Sequence, residues 1–167
     1  ISAEFRAASA PPPVKHIGVG DLLPTTVTKT IDGREIQIRE PSDHRPTALV
    51  FLSPWCETYL ATSRPALAAN CRRARVQVET AAQTANLRWI GVASGLWATS
   101  DDLRGYQKKH VVSIPLVLDE SGDTFHAFDV VQVPTVLIAD EQGRVIRKLS
   151  GSDLGSAEAW TRALQLR

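Results

Sequence analysis

The chain predicts an α/β fold: a central mixed sheet with helices on both faces, preceded by an N-terminal hairpin. Three observations carry this. Thr47-Ala48-Leu49-Val50-Phe51-Leu52 and Trp89-Ile90-Gly91-Val92-Ala93 are short, continuous apolar runs, as strands buried on both faces require. Helical apolar spacing alternates with such runs, which favours parallel strands joined by crossovers. A last pair of strand-like segments, Thr135 to Ala139 and Arg144 to Leu149, is joined by Asp140-Glu141-Gln142-Gly143, which adds an antiparallel edge.

Each element follows in order. Thr26 to Glu40 alternates, with Val27, Ile36 and Ile38 at apolar positions and Asp32-Gly33 between them, a strong hairpin signal. Pro41 to Pro46 is a loop, and Thr47 to Leu52 is the expected central strand. After Cys56 the pattern turns helical, with Leu67, Cys71, Ala74, Val78 and Ala82 on one face. Arg72, Arg73 and Arg75 fall off that face and read as a solvated cluster. Ser100-Asp101-Asp102 offers a cap and acids at the positive end of a helix reaching about His110. Leu116 to Leu118 is a short strand, and Asp119-Glu120-Ser121-Gly122 a turn rather than a calcium loop, because the closing glutamate is missing. A short helix is expected around Thr124 to Phe128, and an amphipathic helix from Ala157 to Leu166 closes the chain.

The bulk properties narrow the function classes. The chain has 167 residues, 43% hydrophobic and 22% charged, with a formal net charge of +1. One domain with one core fits that length, and no basic field points to nucleic acid. No apolar run approaches the roughly 18 residues that span a bilayer. His16, His44, His110 and His126 are scattered, and neither cysteine has a partner at zinc spacing, so no metal and no cofactor is expected. The chain begins at Ile1 and contains no methionine, which reads as processing or trimming. Ala7-Ala8-Ser9-Ala10 and Pro11-Pro12-Pro13 read as a linker, so residues 1–16 are taken as a flexible N-terminal segment and 17–167 as the domain. Such a stretch is common after a secretion signal or membrane anchor. A soluble, exported domain is the expectation; a disordered cytosolic terminus is the plain alternative.

Trp55-Cys56 straight after a buried strand, Ile114-Pro115-Leu116-Val117-Leu118-Asp119, and Val133-Pro134-Thr135-Val136-Leu137-Ile138-Ala139-Asp140 followed by Gly143 resemble the thioredoxin superfamily. The likeness is to the bacterial exported TlpA/ResA-type thiol–disulfide proteins, which are related to the redoxins. It covers about residues 17 to 166 and implies a thioredoxin-like fold. It also implies redox chemistry at Cys56 and a cis peptide bond before Pro134. There, Val133 presents its backbone to an extended substrate. The chain departs from the family pattern in three ways. The second motif cysteine is replaced by Tyr59, the stretch between Cys56 and the Gly91 strand is longer than usual, and neither Val50 nor Thr62 supplies a buried acid.

The residues themselves permit thiol chemistry. Cys56 lies at a strand-to-helix junction, where unpaired N–H groups stabilise a thiolate. Trp55 can cover one side of the thiol, and Glu57, expected to be exposed, opposes thiolate formation weakly. Tyr59 cannot resolve a mixed disulfide. It either donates a hydrogen bond to sulfur or packs on the helix.

Cys71 is the remaining candidate for a second thiol. On one straight helix it would stand roughly 22 Å from Cys56, far beyond the reach of a disulfide. Pro65 changes this, because it can end the segment carrying Cys56 and start a new helix carrying Cys71. A Cys56–Cys71 pair and an unpaired, buried Cys71 both remain open.

The leading expectation is an exported, periplasmic-type thiol–disulfide oxidoreductase. It acts through Cys56, either with Cys71 as resolving or disulfide partner or as a monothiol resolved by an external thiol, and with Trp55, Tyr59, Val133 and Pro134 as substrate contacts. Its partner is a protein or small-molecule thiol or disulfide. The alternative is a binding module that kept the scaffold and lost turnover. Peroxidase chemistry ranks last, since Ser53 and Leu49 stand where a threonine and a proline would be needed.

Overall fold

The computed structural model describes residues 15–165. The flexible segment expected at residues 1–16 lies outside those residues up to position 14, as does Leu166 of the expected closing helix. Strands β1 (Val27–Lys29) and β2 (Glu35–Gln37) form the expected antiparallel hairpin. Its turn places Gly33 at φ 88°, a left-handed conformation that costs glycine little. The Ile31 N–H donates to Leu116 O at 2.8 Å, tying the hairpin to the main sheet.

That sheet contains β3 (Thr47–Leu52), β4 (Arg88–Ser94), β5 (Leu116–Asp119), β6 (Thr135–Ala139) and β7 (Val145–Ser150), in the order β5-β4-β3-β6-β7. Strand β3 is central, parallel to β4 and antiparallel to β6. Alternate side chains of a strand point to opposite faces. Ala48 and Val50 therefore pack with Ala74, Val78 and Trp160, while Leu49 and Phe51 pack with Leu23, Ile38 and Phe128. A strand with both faces covered needs the unbroken apolar run that it has.

The helices are α1 (Cys56–Tyr59), α2 (Pro65–Thr84), α3 (Ser100–His110), α4 (Asp123–Ala127) and α5 (Ala157–Ala163), with a 3-10 turn at Gly151–Gly155 before the last. Pro65 occupies the first turn of α2, where its missing N–H removes no hydrogen bond. The buried stripe of α2 is Ala68, Cys71, Ala74, Val78 and Ala81. It lies slightly rotated from the expected one, leaving Leu67 and Ala82 half-buried at its margins. Helix α3 is capped one residue earlier than expected. The Asp102 N–H donates to Thr99 Oγ1 at 3.2 Å and the Thr99 N–H to Asp102 Oδ2 at 2.8 Å, a reciprocal capping box. Among the described residues, no helix is long and apolar enough to cross a membrane.

Candidate functional site

The site forms where β3 ends at the centre of the sheet. Ser53 and Pro54 turn the chain, the Trp55 N–H donates to Ser53 Oγ at 3.2 Å, and Cys56 opens α1. This helix stops after one turn, and Leu60 to Arg64 carry the chain to Pro65 outside any helix or strand. Helix α2 then brings Cys71 back to Cys56. Their Cα atoms are 6.2 Å apart and their sulfurs form a disulfide. The sequence left that pairing open; the break at Pro65 makes it geometrically possible.

The bond turns Cys56 inward. Cys56 is 1% exposed and Cys71 9%, so both sulfurs lie beneath the surface. Cys56 Sγ lies 3.8 Å from Leu67 O in the first turn of α2.

The Val133–Pro134 peptide bond is cis, as the resemblance implied. Pro134 lines a cavity of about 30 Å³ together with Cys71, Val50, Leu52 and Ser53. Val133 lines a neighbouring cleft of about 430 Å³ with Ser53, Pro54, Arg64 and Leu67. The cis-proline turn thus shares one space with Cys71 and the other with Ser53 and Pro54. Thr135 Oγ1 donates to Gln132 O at 2.8 Å and braces that turn.

Trp55 stays at the surface and donates from Nε1 to Trp97 O at 3.1 Å. Tyr59 is 80% exposed. It neither packs on the helix nor bonds to sulfur, because α1 turns its side chain outward. Leu96, Trp97 and Val131 are also exposed, and Trp97 and Val131 border the cleft. Gly95 sets the close approach before Leu96, since a Cβ there would stand 2.6 Å from Glu120 Cα. Exposure of Leu96, Trp97 and Val131 was not legible from the apolar pattern, which normally marks burial.

Glu57 is the main electrostatic correction. It is not exposed. Its carboxylate accepts from Arg75 Nε at 2.8 Å and from Arg75 Nη2 at 3.0 Å, with side chains 11% and 18% exposed. Arg75 therefore leaves the solvated cluster, whereas Arg72 and Arg73 remain exposed. The bond to Glu57 raises the Arg75 pKa above its ordinary value, and the acid next to Cys56 is neutralised by its partner. His110 Nε2 lies 3.9 Å from Glu57 Oε2. Burial first, and then the Arg75 charge, push the His110 pKa down. Tyr106 packs edge-on against His110, with ring centroids 5.0 Å apart, and burial raises its phenol pKa. Glu79 accepts from Ser113 Oγ at 2.8 Å. Glu57, Arg75, Glu79 and Tyr106 share the small cavity with Cys71 and Pro134.

Sequence reasoning missed this polar group, although a signal existed. Once Cys56 is paired with Cys71, the residue after the first and the residue one turn beyond the second fall opposite each other.

These features define a thioredoxin-like fold in which the second motif cysteine is absent and Cys71 takes its place in the disulfide. No family model and no curated protein sequence matches the chain. Solved structures do resemble it. A secreted Mycobacterium tuberculosis disulfide oxidoreductase homologous to E. coli DsbE aligns over 83% of this chain and 96% of its own, at 16% identity and a TM-score of 0.61. StoA from Bacillus subtilis aligns over 81% and 95%, at 19% identity and 0.58. A thiol-disulfide oxidoreductase from Bacteroides fragilis aligns over 87% and 98%, at 20% identity and 0.62.

Proposed function

We propose that this protein is a thiol–disulfide oxidoreductase whose redox pair is Cys56 and Cys71. The observation that carries this reading is the Cys56–Cys71 disulfide beside the cis Val133–Pro134 turn. In the reduced protein, the Cys56 thiolate attacks a substrate disulfide and one substrate thiolate leaves. The Cys71 thiolate then attacks Cys56 Sγ, closes the Cys56–Cys71 bond and releases the second substrate thiol. Two electrons pass from protein to substrate; reduction of the protein runs the same steps backwards. Cys71 does the work that Tyr59 cannot. Trp55, Tyr59 and Val133 are the proposed substrate contacts, with Pro134 fixing the backbone of Val133. The substrate is a protein or small-molecule thiol or disulfide. Export is part of the proposal: a disulfide persists in oxidising compartments, and a secreted protein is among the structural neighbours.

A second reading, a binding module without turnover, draws on the burial of both sulfurs beside exposed Trp55, Tyr59 and Trp97. Insulin reduction in the presence of dithiothreitol separates the two. Catalysis by the native chain that is lost in Cys56→Ser supports the enzyme. A rate no higher than the uncatalysed one supports the binding module.

A further inference from the structure

Helix α1 is four residues long and has no side-chain cap. A single turn does not hold itself, because nucleation fixes several residues for one hydrogen bond. Two side-chain links tie it to α2: the Cys56–Cys71 disulfide and the two-pronged Glu57–Arg75 pair. Glu57 follows Cys56 directly, and Arg75 lies one turn beyond Cys71, so the links run side by side. Only one of them is redox-sensitive. Paired guanidinium and carboxylate groups with two parallel bonds are geometrically specific, and their partial burial protects them from salt.

We propose that the Glu57–Arg75 pair is the positioning element of the redox couple: it holds Cys56 opposite Cys71 after reduction and so favours reclosure of the disulfide. This rests on the reading of the two cysteines as a redox pair. The equilibrium between dithiol and disulfide depends on how often the two thiols meet. A parallel link that survives reduction raises their effective concentration. The coupling is reciprocal, so the disulfide strengthens the ion pair by the same factor. A purely electrostatic role would look different. Glu57 disfavours a nearby thiolate and Arg75 favours one, so neutralising each in turn would act in opposite directions. A clamp makes both changes act the same way.

The test is a redox titration of the whole chain in dithiothreitol buffers of varied ratio, read by alkylation and mass spectrometry. The protein disulfide takes two electrons and two protons from the dithiothreitol dithiol, which closes to its cyclic disulfide. Glu57→Gln and Arg75→Gln should each move the equilibrium toward the protein dithiol by about fivefold to tenfold, a tenfold change being about 30 mV. The double variant should shift no further than either single one. Arg75→Lys, which keeps the charge but loses the fork, should move the same way by at least about twofold; it decides the matter if the neutral variants do not fold. Ile138→Val, a core change away from the pair, should leave the equilibrium in place, which separates positioning from general destabilisation. Shifts of opposite sign, or all variants within twofold of the native chain, would overturn the proposal. Failure of the folded native chain to interconvert at all would instead remove the functional reading on which it rests.

Discussion

Helices α1 and α3 are built in opposite ways. Helix α3 runs for 11 residues, with a capping box at Thr99 and Asp102, acids in its first turn, and Lys108, Lys109 and His110 in its last. Its start, its stop and its match to the helix dipole are written locally. Helix α1 has four residues, no side-chain cap and no basic residue in its last turn. What fixes it comes from α2: Cys71 and Arg75. The difference teaches where redox control can reside. An element held by its own sequence is indifferent to the oxidation state of a cysteine, whereas one stapled from outside responds to it.

The largest expected effect breaks the staple. Removing both sulfurs, with Cys56→Ala and Cys71→Ala, should lower unfolding stability by about 3 kcal/mol, because the cross-link closes a loop of about 15 residues. Urea unfolding measures the loss. Hydrogen exchange should accelerate in residues 56–64 and stay unchanged in residues 100–110. Equal acceleration in both would contradict the contrast. A smaller effect breaks the local device. Thr99→Ala removes the cap of α3 and should cost about 1 kcal/mol, with no change in the dithiol–disulfide equilibrium.

The smallest effect lies at His110, where the two regions meet. It ends α3 and faces Glu57 of α1, Arg75 of α2 and, on its own helix, Tyr106 and Lys109. Its folded pKa is pushed below the ordinary 6.5 by burial and by Arg75. The unfolded chain therefore binds a proton at higher pH than the native one. Stability should fall as pH drops below about 6.5 and level off below the folded pKa. Chemical unfolding across pH 5 to 8 should show this slope, and His110→Gln should flatten it.

The sequence made most of the scaffold legible, for reasons that differ between its parts. Thr47 to Leu52 read as a central strand because a strand covered on both faces must be apolar throughout, and it lies between β4 and β6. Asp32-Gly33 and Pro65 read correctly because turn and helix-start chemistry is local. The candidate site was only partly legible. Cys56, Cys71 and Pro134 could be named, yet their burial and pairing depend on how α1 folds back on α2. Glu57 looked exposed because its partner Arg75 lies 18 residues away, and no spacing rule for one helix links them. Trp97 and Val131 broke the rule that apolar residues lie inside.

The most direct test of the central claim traps the exchange at its halfway point. The Cys71→Ser variant keeps the proposed attacking thiol and removes the resolving one, so a mixed disulfide formed at Cys56 cannot be discharged from within. The native reduced chain and this variant would each be incubated with glutathione disulfide, and the adducts mapped by peptide mass spectrometry. The variant should accumulate glutathione on Cys56, while the native chain should pass through that state and finish as the Cys56–Cys71 disulfide. A variant that stays unmodified at Cys56 while folded, or a native chain that retains glutathione and does not close its disulfide, would contradict the claim.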